Sequence, residues 1–288
     1  MHEKKEKYQG LTIDGGGILG IGSARALMEF EKDSGKPIIN QFDFIAGTST
    51  GGIIAVLLSL GYSAKDIHNL YVEKGSDIFY VPGWMWKMNP FNPKYSTERF
   101  EKILDDIVGN KTMKDLKKPT YITTSNIVKN ETHVFNRKQD IPLKDVILRT
   151  TAAPTFFPPQ GEWVDGGIWA NDPALVGTLG FKRFKKCELN QLRVLSIGTS
   201  GDAPYQKLNT SRMTIAHWIK PLLAFLLQGT EHATEFFMKQ LDLDEYERID
   251  PKFKKDWKMD DLEAMYQFEE KWVEKYNKHK DRFKKFFR

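Results

Sequence analysis

Apolar positions along this chain come in short blocks whose spacing changes at glycines. Gly10–Asp14 (GLTID) is apolar, β-prone and too short for a helix, and it runs straight into Gly15-Gly16-Gly17. Ile18–Glu31 repeats at helical spacing and stops at the turn Asp33-Ser34-Gly35. Phe42–Ala46 is a second strand-like run ending at Gly47. The stretch after Thr50 (GGIIAVLLSLGY) is apolar nearly all round, which predicts a buried helix stopped by Gly61. Strand, glycine turn, helix, then the same again predicts a parallel sheet covered on both faces.

Further strands are predicted at Thr120–Thr124, His133–Asn136 and Leu192–Ile197, with a short one at Gly161–Val164. Helices are predicted at Ser63–Lys74, Thr97–Val108, Pro142–Ala152, Ala174–Phe184 and Thr214–Gln240, followed by a highly charged one over Asp260–Phe287. The expected architecture is a three-layer α/β/α fold with a mostly parallel central sheet. Residues 10–200 would form the catalytic domain and residues 201–288 a helical C-terminal extension packed on it. Hydrophobic residues make up 40% and charged residues 28% of the chain, which excludes wholesale disorder.

Three glycine-framed segments carry candidate chemistry. Gly47-Thr48-Ser49-Thr50-Gly51 is a G-x-S-x-G between a strand and a buried helix. That context lifts a serine hydroxyl clear of the backbone on a sharp turn and aims helix N–H groups at developing negative charge. Asp14-Gly15-Gly16-Gly17-Ile18-Leu19-Gly20 leaves backbone N–H groups unobstructed, which suits an oxyanion hole. Gly15, Gly17 and Gly20 also satisfy the dinucleotide fingerprint. That fingerprint wants an acidic residue about 20 positions on, at the end of the second strand, whereas the nearest candidate by that count, Asp33, lies in a turn before this strand, which ends in Ala46-Gly47. Asp165-Gly166-Gly167 follows a short strand, and its carboxylate becomes a candidate base because a nucleophilic serine needs a proton acceptor.

Four segments, DGGGILG (Asp14–Gly20), GTSTGG (Gly47–Gly52), TTAAPTFFPP (Thr150–Pro159) and DGGIWANDP (Asp165–Pro173), occur in the order found in the patatin-like phospholipase family. The chain resembles that family over about residues 10–200. The resemblance implies hydrolysis of acyl esters of phospholipids or other lipids by a Ser–Asp dyad without histidine. Ser49 would be the nucleophile, Asp165 the base, and Gly15, Gly16 and Gly17 the oxyanion loop, with Gly20, Gly47, Gly51, Gly166 and Gly167 as motif glycines. The family often has arginine where this chain has Leu19, a departure that bears on headgroup recognition. Two alternatives stay open. A Ser…Asp…His triad would draw on His217, His232 or His279, and a catalytically silent chain would use the fold for binding or regulation.

A lone cysteine, Cys187, excludes an internal disulfide and a cysteine metal cluster and fits a reducing compartment such as the cytoplasm. No His/Cys/Asp cluster has metal-ligand spacing, so neither metal nor cofactor is expected. The N-terminus lacks the apolar core of a secretory signal, and no apolar run reaches the roughly 20 residues of a membrane span. Phe79–Tyr95 is dense in aromatics, and Trp84, Trp86 and Phe91 are candidates for a lid or bilayer-docking loop, alongside a plain packed loop. The +5 net charge is concentrated at Lys275–Arg288, with seven Lys/Arg against one Asp. Aromatics at helical spacing there fit either an interfacial basic helix or one docked on the domain. The expected partners are an acyl-lipid substrate and peripheral membrane, with no nucleic acid; the oligomeric state is not legible.

Overall fold

The computed structural model describes residues 6–89, 92–199, 215–253, 258–263 and 265–288, with backbone only for 215–221 and 223–224. Its strands are β1 (Tyr8–Ile13), β2 (Phe44–Gly47), β3 (Thr120–Asn126), β4 (Glu131–Phe135), β5 (Trp163–Asp165), β6 (Leu192–Ile197) and β7 (Glu245–Ile249). The helices are α1 (Gly20–Ser34), α2 (Ile38–Gln41), α3 (Thr50–Leu60), α4 (Ala64–Ile78), α5 (Trp84–Met88), α6 (Glu98–Val108), α7 (Leu143–Thr150), α8 (Gly167–Ala170), α9 (Ala174–Lys185), α10 (Ile215–Gln240) and α11 (Met265–Lys284). The sheet runs β4-β3-β2-β1-β6-β7, parallel from β3 through β7, while β4 and β5 both pair antiparallel with β3.

Strand alternation divides the interior into two cores. Leu11 and Ile13 of β1, Ile45 of β2, and Leu195 and Ile197 of β6 enter the larger core, with residues of α1, α3, α4, α6, α7 and α11. Tyr8, Phe44, Ala46, Leu192 and Val194 enter the smaller one, with Phe181 of α9 and Met238 of α10. The central strand β1 is buried at every position, as a strand with both faces and both edges covered must be. Two predicted stops are present: Gly35 (φ 68°) and Gly61 (φ 101°) end α1 and α3 in the left-handed region that glycine enters without strain. A capping box of Ser63 and Asp66 starts α4.

One expectation is corrected. The segment after residue 200 is not wholly helical, because β7 extends the sheet alongside β6. Its sequence, EYERI, reads as polar because it is an edge strand whose charges are taken up on both faces. Glu247 pairs with Arg282 and Lys285 on one side, and Arg248 reaches Asp14 and Asp172 on the other. Of the two readings of the basic C-terminal helix, the structure has it docked on the domain, so that its apolar face is not available to a bilayer. Trp272, Tyr276, Phe283 and Phe286 are buried, and Phe30 of α1 meets Phe283 and Phe287 edge-on at 6.1 and 4.8 Å. Several of the basic residues there are paired as well, Lys284 with Asp281, Lys285 with Glu245 and Arg288 with Asp43. No helix among the described residues is long and apolar enough to cross a membrane.

Trp272 packs beside Gly22 so closely that a Cβ there would lie 2.1 Å from its ring. Trp272→Ala is expected to cost about 3–5 kcal/mol through the cavity it leaves, read as a lowered denaturant midpoint; a change below about 1 kcal/mol would show that α11 is not part of the core.

Candidate active site

Where β2 ends, the chain turns sharply into α3 with Ser49 as the hinge. Ser49 sits at φ 54° and ψ −121°, a strained conformation for a residue with a side chain. The turn is tight enough that a Cβ on Gly47 would fall 2.1 Å from the Gly51 carbonyl oxygen, and one on Gly51 would meet the Ile13 carbonyl oxygen at 2.1 Å. The motif therefore needs glycine at both places. Neighbours hold the hinge rigidly. The Ser49 N–H donates to Thr150 Oγ1 at 2.9 Å, and that hydroxyl donates to the Thr123 carbonyl at 2.7 Å. Thr48 N–H donates to the Ile13 carbonyl at 3.3 Å.

Asp165 arrives by a different route. β3 has two edges, and β4 takes one of them from Ile122 to Asn126. On the other, β2 pairs only as far as Gly47↔Ile122, and β5 takes over at Thr124↔Asp165. The carboxylate that ends β5 thus lies just beyond the end of β2, where Ser49 stands. TTAAPTFFPP positions it, since the Ala152 carbonyl accepts the Asp165 N–H at 3.0 Å. Burial raises the Asp165 pKa from the ordinary carboxylate value to about 7, while the facing Ser49 hydroxyl and the Gly167 N–H (2.7 Å to Oδ1) favour its ionised form.

The glycine loop after β1 closes over the same point. Gly15 is clamped: its N–H donates to the Asn171 carbonyl at 3.1 Å, and its carbonyl accepts from Asn171 Nδ2 at 3.3 Å and Thr199 Oγ1 at 2.6 Å. The expectation that three glycine N–H groups lie free is therefore corrected for Gly15. Among the described residues no acceptor takes the N–H of Gly16 or Gly17. Gly17, at φ 60°, shares the wall of a cavity with Ser49 and Thr50. That cavity is narrow, about 30 Å³, and Ile53, Tyr71, Ile78, Phe79, Phe100 and Phe157 line it. Of the other motif glycines, Gly20 lies against Thr50, Gly166 against Thr123, and Gly167 against Asp165, Asn171 and Leu227.

Asp33, the acid nearest to where a dinucleotide's ribose would be held, is bonded to Tyr276 and Lys280 of α11. His232 is exposed and His279 lies among Arg282, Lys278 and Lys275, while the His217 side chain lies outside the described residues. Trp84 is 69% exposed on α5, where a loop was expected, and Trp86 donates Nε1–H to the Pro93 carbonyl at 2.9 Å. Phe91 lies outside the described residues.

Sequence reasoning missed Arg248. From β7, its guanidinium bonds Asp14 at 2.7 Å and Asp172 at 3.0 Å, with Ser196 Oγ at 3.0 Å and Asp250 and Glu231 at 3.4 and 3.7 Å. Asp14 opens the glycine loop and Asp172 closes the DGGIWANDP segment, so this cation ties together the two loops that flank Ser49. The family's arginine at the Leu19 position is absent, and Leu19 is buried; here a guanidinium reaches the same motif from another strand. Several carboxylates share one buried cation. Burial pushes Asp14 well up and Glu231 up to about 8, and the remaining carboxylates reinforce both shifts. Nothing local in EYERI marks this role; only the pairing of β7 with β6 brings it in.

A family profile for Patatin-like phospholipase matches residues 11–177, and the chain belongs to that family. It is 28% identical to Patatin-like protein 4 of Arabidopsis thaliana over 88% of this chain and 79% of that one. It is 29% identical to a cGAMP-activated phospholipase of Pseudomonas aeruginosa over 85% and 78% of the two chains. Among solved structures, VipD from Legionella pneumophila shares the fold, with a TM-score of 0.50 at 14% identity, covering 95% of this chain and 67% of that one.

Arg248→Met leaves Asp14 and Asp172 buried without a cation, and a stability loss of about 3–5 kcal/mol at neutral pH is expected. Both aspartates already have raised pKa values in the fold, and without the cation they hold protons more tightly still. The variant should therefore be most stable below the unfolded carboxylate pKa near 4 and lose stability as pH rises through the folded values. Urea melts between pH 4 and 8 test this; a variant penalty that does not grow with pH would refute it.

Proposed function

We propose that this chain is a lipid acyl hydrolase that cleaves acyl esters of phospholipids through an acyl-enzyme on Ser49. One observation carries the reading: a serine on a strained strand–helix hinge faces a buried carboxylate of raised pKa, at the wall of an apolar cavity. The family membership and the phospholipase relatives support the same class of substrate. Ile53, Phe79, Phe100 and Phe157 are suited to an acyl chain, because they offer apolar surface without a competing hydrogen-bond partner.

In this mechanism Asp165, ionised, accepts the Ser49 proton as Oγ attacks the ester carbonyl carbon. Negative charge collects on the former carbonyl oxygen, where the Gly16 and Gly17 N–H groups and the N-terminus of α3 stabilise it. The tetrahedral intermediate collapses, the C–O bond to the alcohol breaks, and protonated Asp165 gives its proton to the departing alkoxide. Water then attacks the acyl-Ser49 ester with Asp165 again as base, releasing fatty acid and restoring the hydroxyl. A carboxylate of pKa near 4 would be a poor base for this. Burial that lifts it to about 7 brings it close to the pH at which it must both accept and return a proton.

Peripheral contact with the bilayer is assigned to α5. Trp84, Met85 and Met88 are 69%, 71% and 70% exposed. The segment that follows is tied to the cavity wall by Lys94 and Tyr95 N–H groups donating to the Thr155 and Phe156 carbonyls at 3.0 and 2.8 Å.

Ser49→Ala and Asp165→Asn are each expected to lower hydrolysis of a p-nitrophenyl ester by on the order of 10⁴-fold or more, and Ser49→Ala to abolish fluorophosphonate labelling. For the native chain, kcat/KM should climb as pH rises through about 7 and level off above it, because Asp165 works ionised. An unlabelled native chain would instead favour a silent binding protein. Trp84→Ser with Met85→Ser should reduce fatty acid release from phospholipid vesicles about tenfold or more, given roughly 1.5–3 kcal/mol per buried large apolar side chain, and leave a soluble ester unaffected. Equal losses on both substrates would remove the docking role.

A further inference from the structure

Helix α10 lies against the domain along one side and leaves the other uncovered. Its inward side carries Thr234 and Met238, both buried, and Glu231, which bonds Asn171. Leu227 also points inward, against Gly167. On the outward side Leu222, Phe225, Leu226, Phe236 and Phe237 are 49%, 70%, 36%, 61% and 52% exposed. Gly229 and Ala233 lie between them on the same face, the first partly and the second fully exposed. At 100° per residue all seven fall within one stripe of the helix surface.

Six of the seven are arranged symmetrically about Glu231, with Leu222 unmatched. Counting outward, Phe225-Leu226 on one side is matched by Phe236-Phe237 on the other, and Gly229 by Ala233. Large residues stand at both ends and small ones in the middle. A surface that meets its own copy about a two-fold axis must be complementary to itself when reversed, and this stripe is.

We propose that the outer face of α10 pairs antiparallel with the same face of a second copy of this chain, forming a two-fold dimer centred near residue 231. In that pairing Gly229 and Ala233 let the helix axes approach closely at the centre. Phe225 of one copy packs on Phe236 of the partner subunit, and Leu226 on Phe237 of the partner subunit. The five large side chains present roughly 500 Å² per copy, taking about 150–250 Å² for a whole aromatic side chain. Full coverage in two copies comes to about 1,000 Å² before any rim is counted, close to the threshold that a biological interface should clear. Charge also favours a second copy over an anionic lipid surface. The outward stripe carries no Lys or Arg, whereas interfacial helices rely on basic residues.

Sedimentation of the full chain tests the pairing. The native protein should run as a dimer at micromolar concentration, and Phe225→Glu with Phe236→Glu as a monomer. Its circular dichroism should be unchanged, since both side chains are exposed, and its melting temperature should lose the concentration dependence of the native dimer. Register is read by cross-linking in a Cys187→Ser background. Phe225→Cys mixed with Phe236→Cys should oxidise to a disulfide dimer, and neither variant alone should, because like positions lie about 15–18 Å apart along antiparallel helices. A monomeric native chain, a dimer indifferent to the glutamates, or cross-linking of either single variant would each overturn the proposal. Monomers whose binding to phosphatidylcholine vesicles depends on Phe225 and Phe236 would assign the face to lipid instead.

Discussion

Everything at the candidate site depends on how one edge of β3 is shared. β2 pairs with the first part of that edge and stops at Gly47, and β5 takes up the remainder from Thr124 onward. A serine two residues beyond the end of one strand is thereby set beside an aspartate at the end of another, over a hundred residues later in the chain. Both groups stand on backbone fixed by sheet and helix hydrogen bonds rather than on free loops. The hinge strain at Ser49 can persist because Thr150, Gly47 and Gly51 leave the turn no other arrangement.

Holding carboxylates in a dry interior raises the free energy of the charged form, and the molecule handles this differently at two neighbouring places. Around Asp165 the cost remains as a raised pKa, which is what the proposed role as base calls for. Around Asp14 and Asp172 it is offset by Arg248, which converts two buried carboxylates into a brace between the glycine loop and the segment following Asp165. The first arrangement leaves a buried carboxyl able to exchange a proton near neutral pH, and the second fixes geometry. The C-terminal third of the chain supplies that brace, so it belongs to the site as much as the motif-bearing part does.

The same third covers the rest of the domain. α11 closes the larger core with Trp272, Tyr276 and Phe283, and its lysines and arginines meet carboxylates of β7 and of the loop before β2. A helix that looks suited to a lipid surface is therefore occupied by protein on its apolar face and largely by carboxylates on its polar one. The exposed apolar surface lies elsewhere, on α5 beside the cavity and on the outer stripe of α10.

Local sequence determined the elements whose signals are local. Glycines at Gly35 and Gly61 ended helices, apolar runs marked β1, β2, β3 and β6, and the G-x-S-x-G spacing marked the hinge, because turn sterics and burial act over a few residues. β7 was not legible, since EYERI has the charge of an exposed segment and becomes a strand only when β6 offers it an edge. α5 was hidden by the prolines around it, and the destination of the aromatic face of α11 is not written in its own periodicity. Sequence also named Ser49 and Asp165, but not the reach between them, the clamp that withdraws the Gly15 N–H, or Arg248. Those were decided by tertiary structure alone, because pairings between distant strands, and the burial that shifts a carboxylate, exist only once the sheet is assembled.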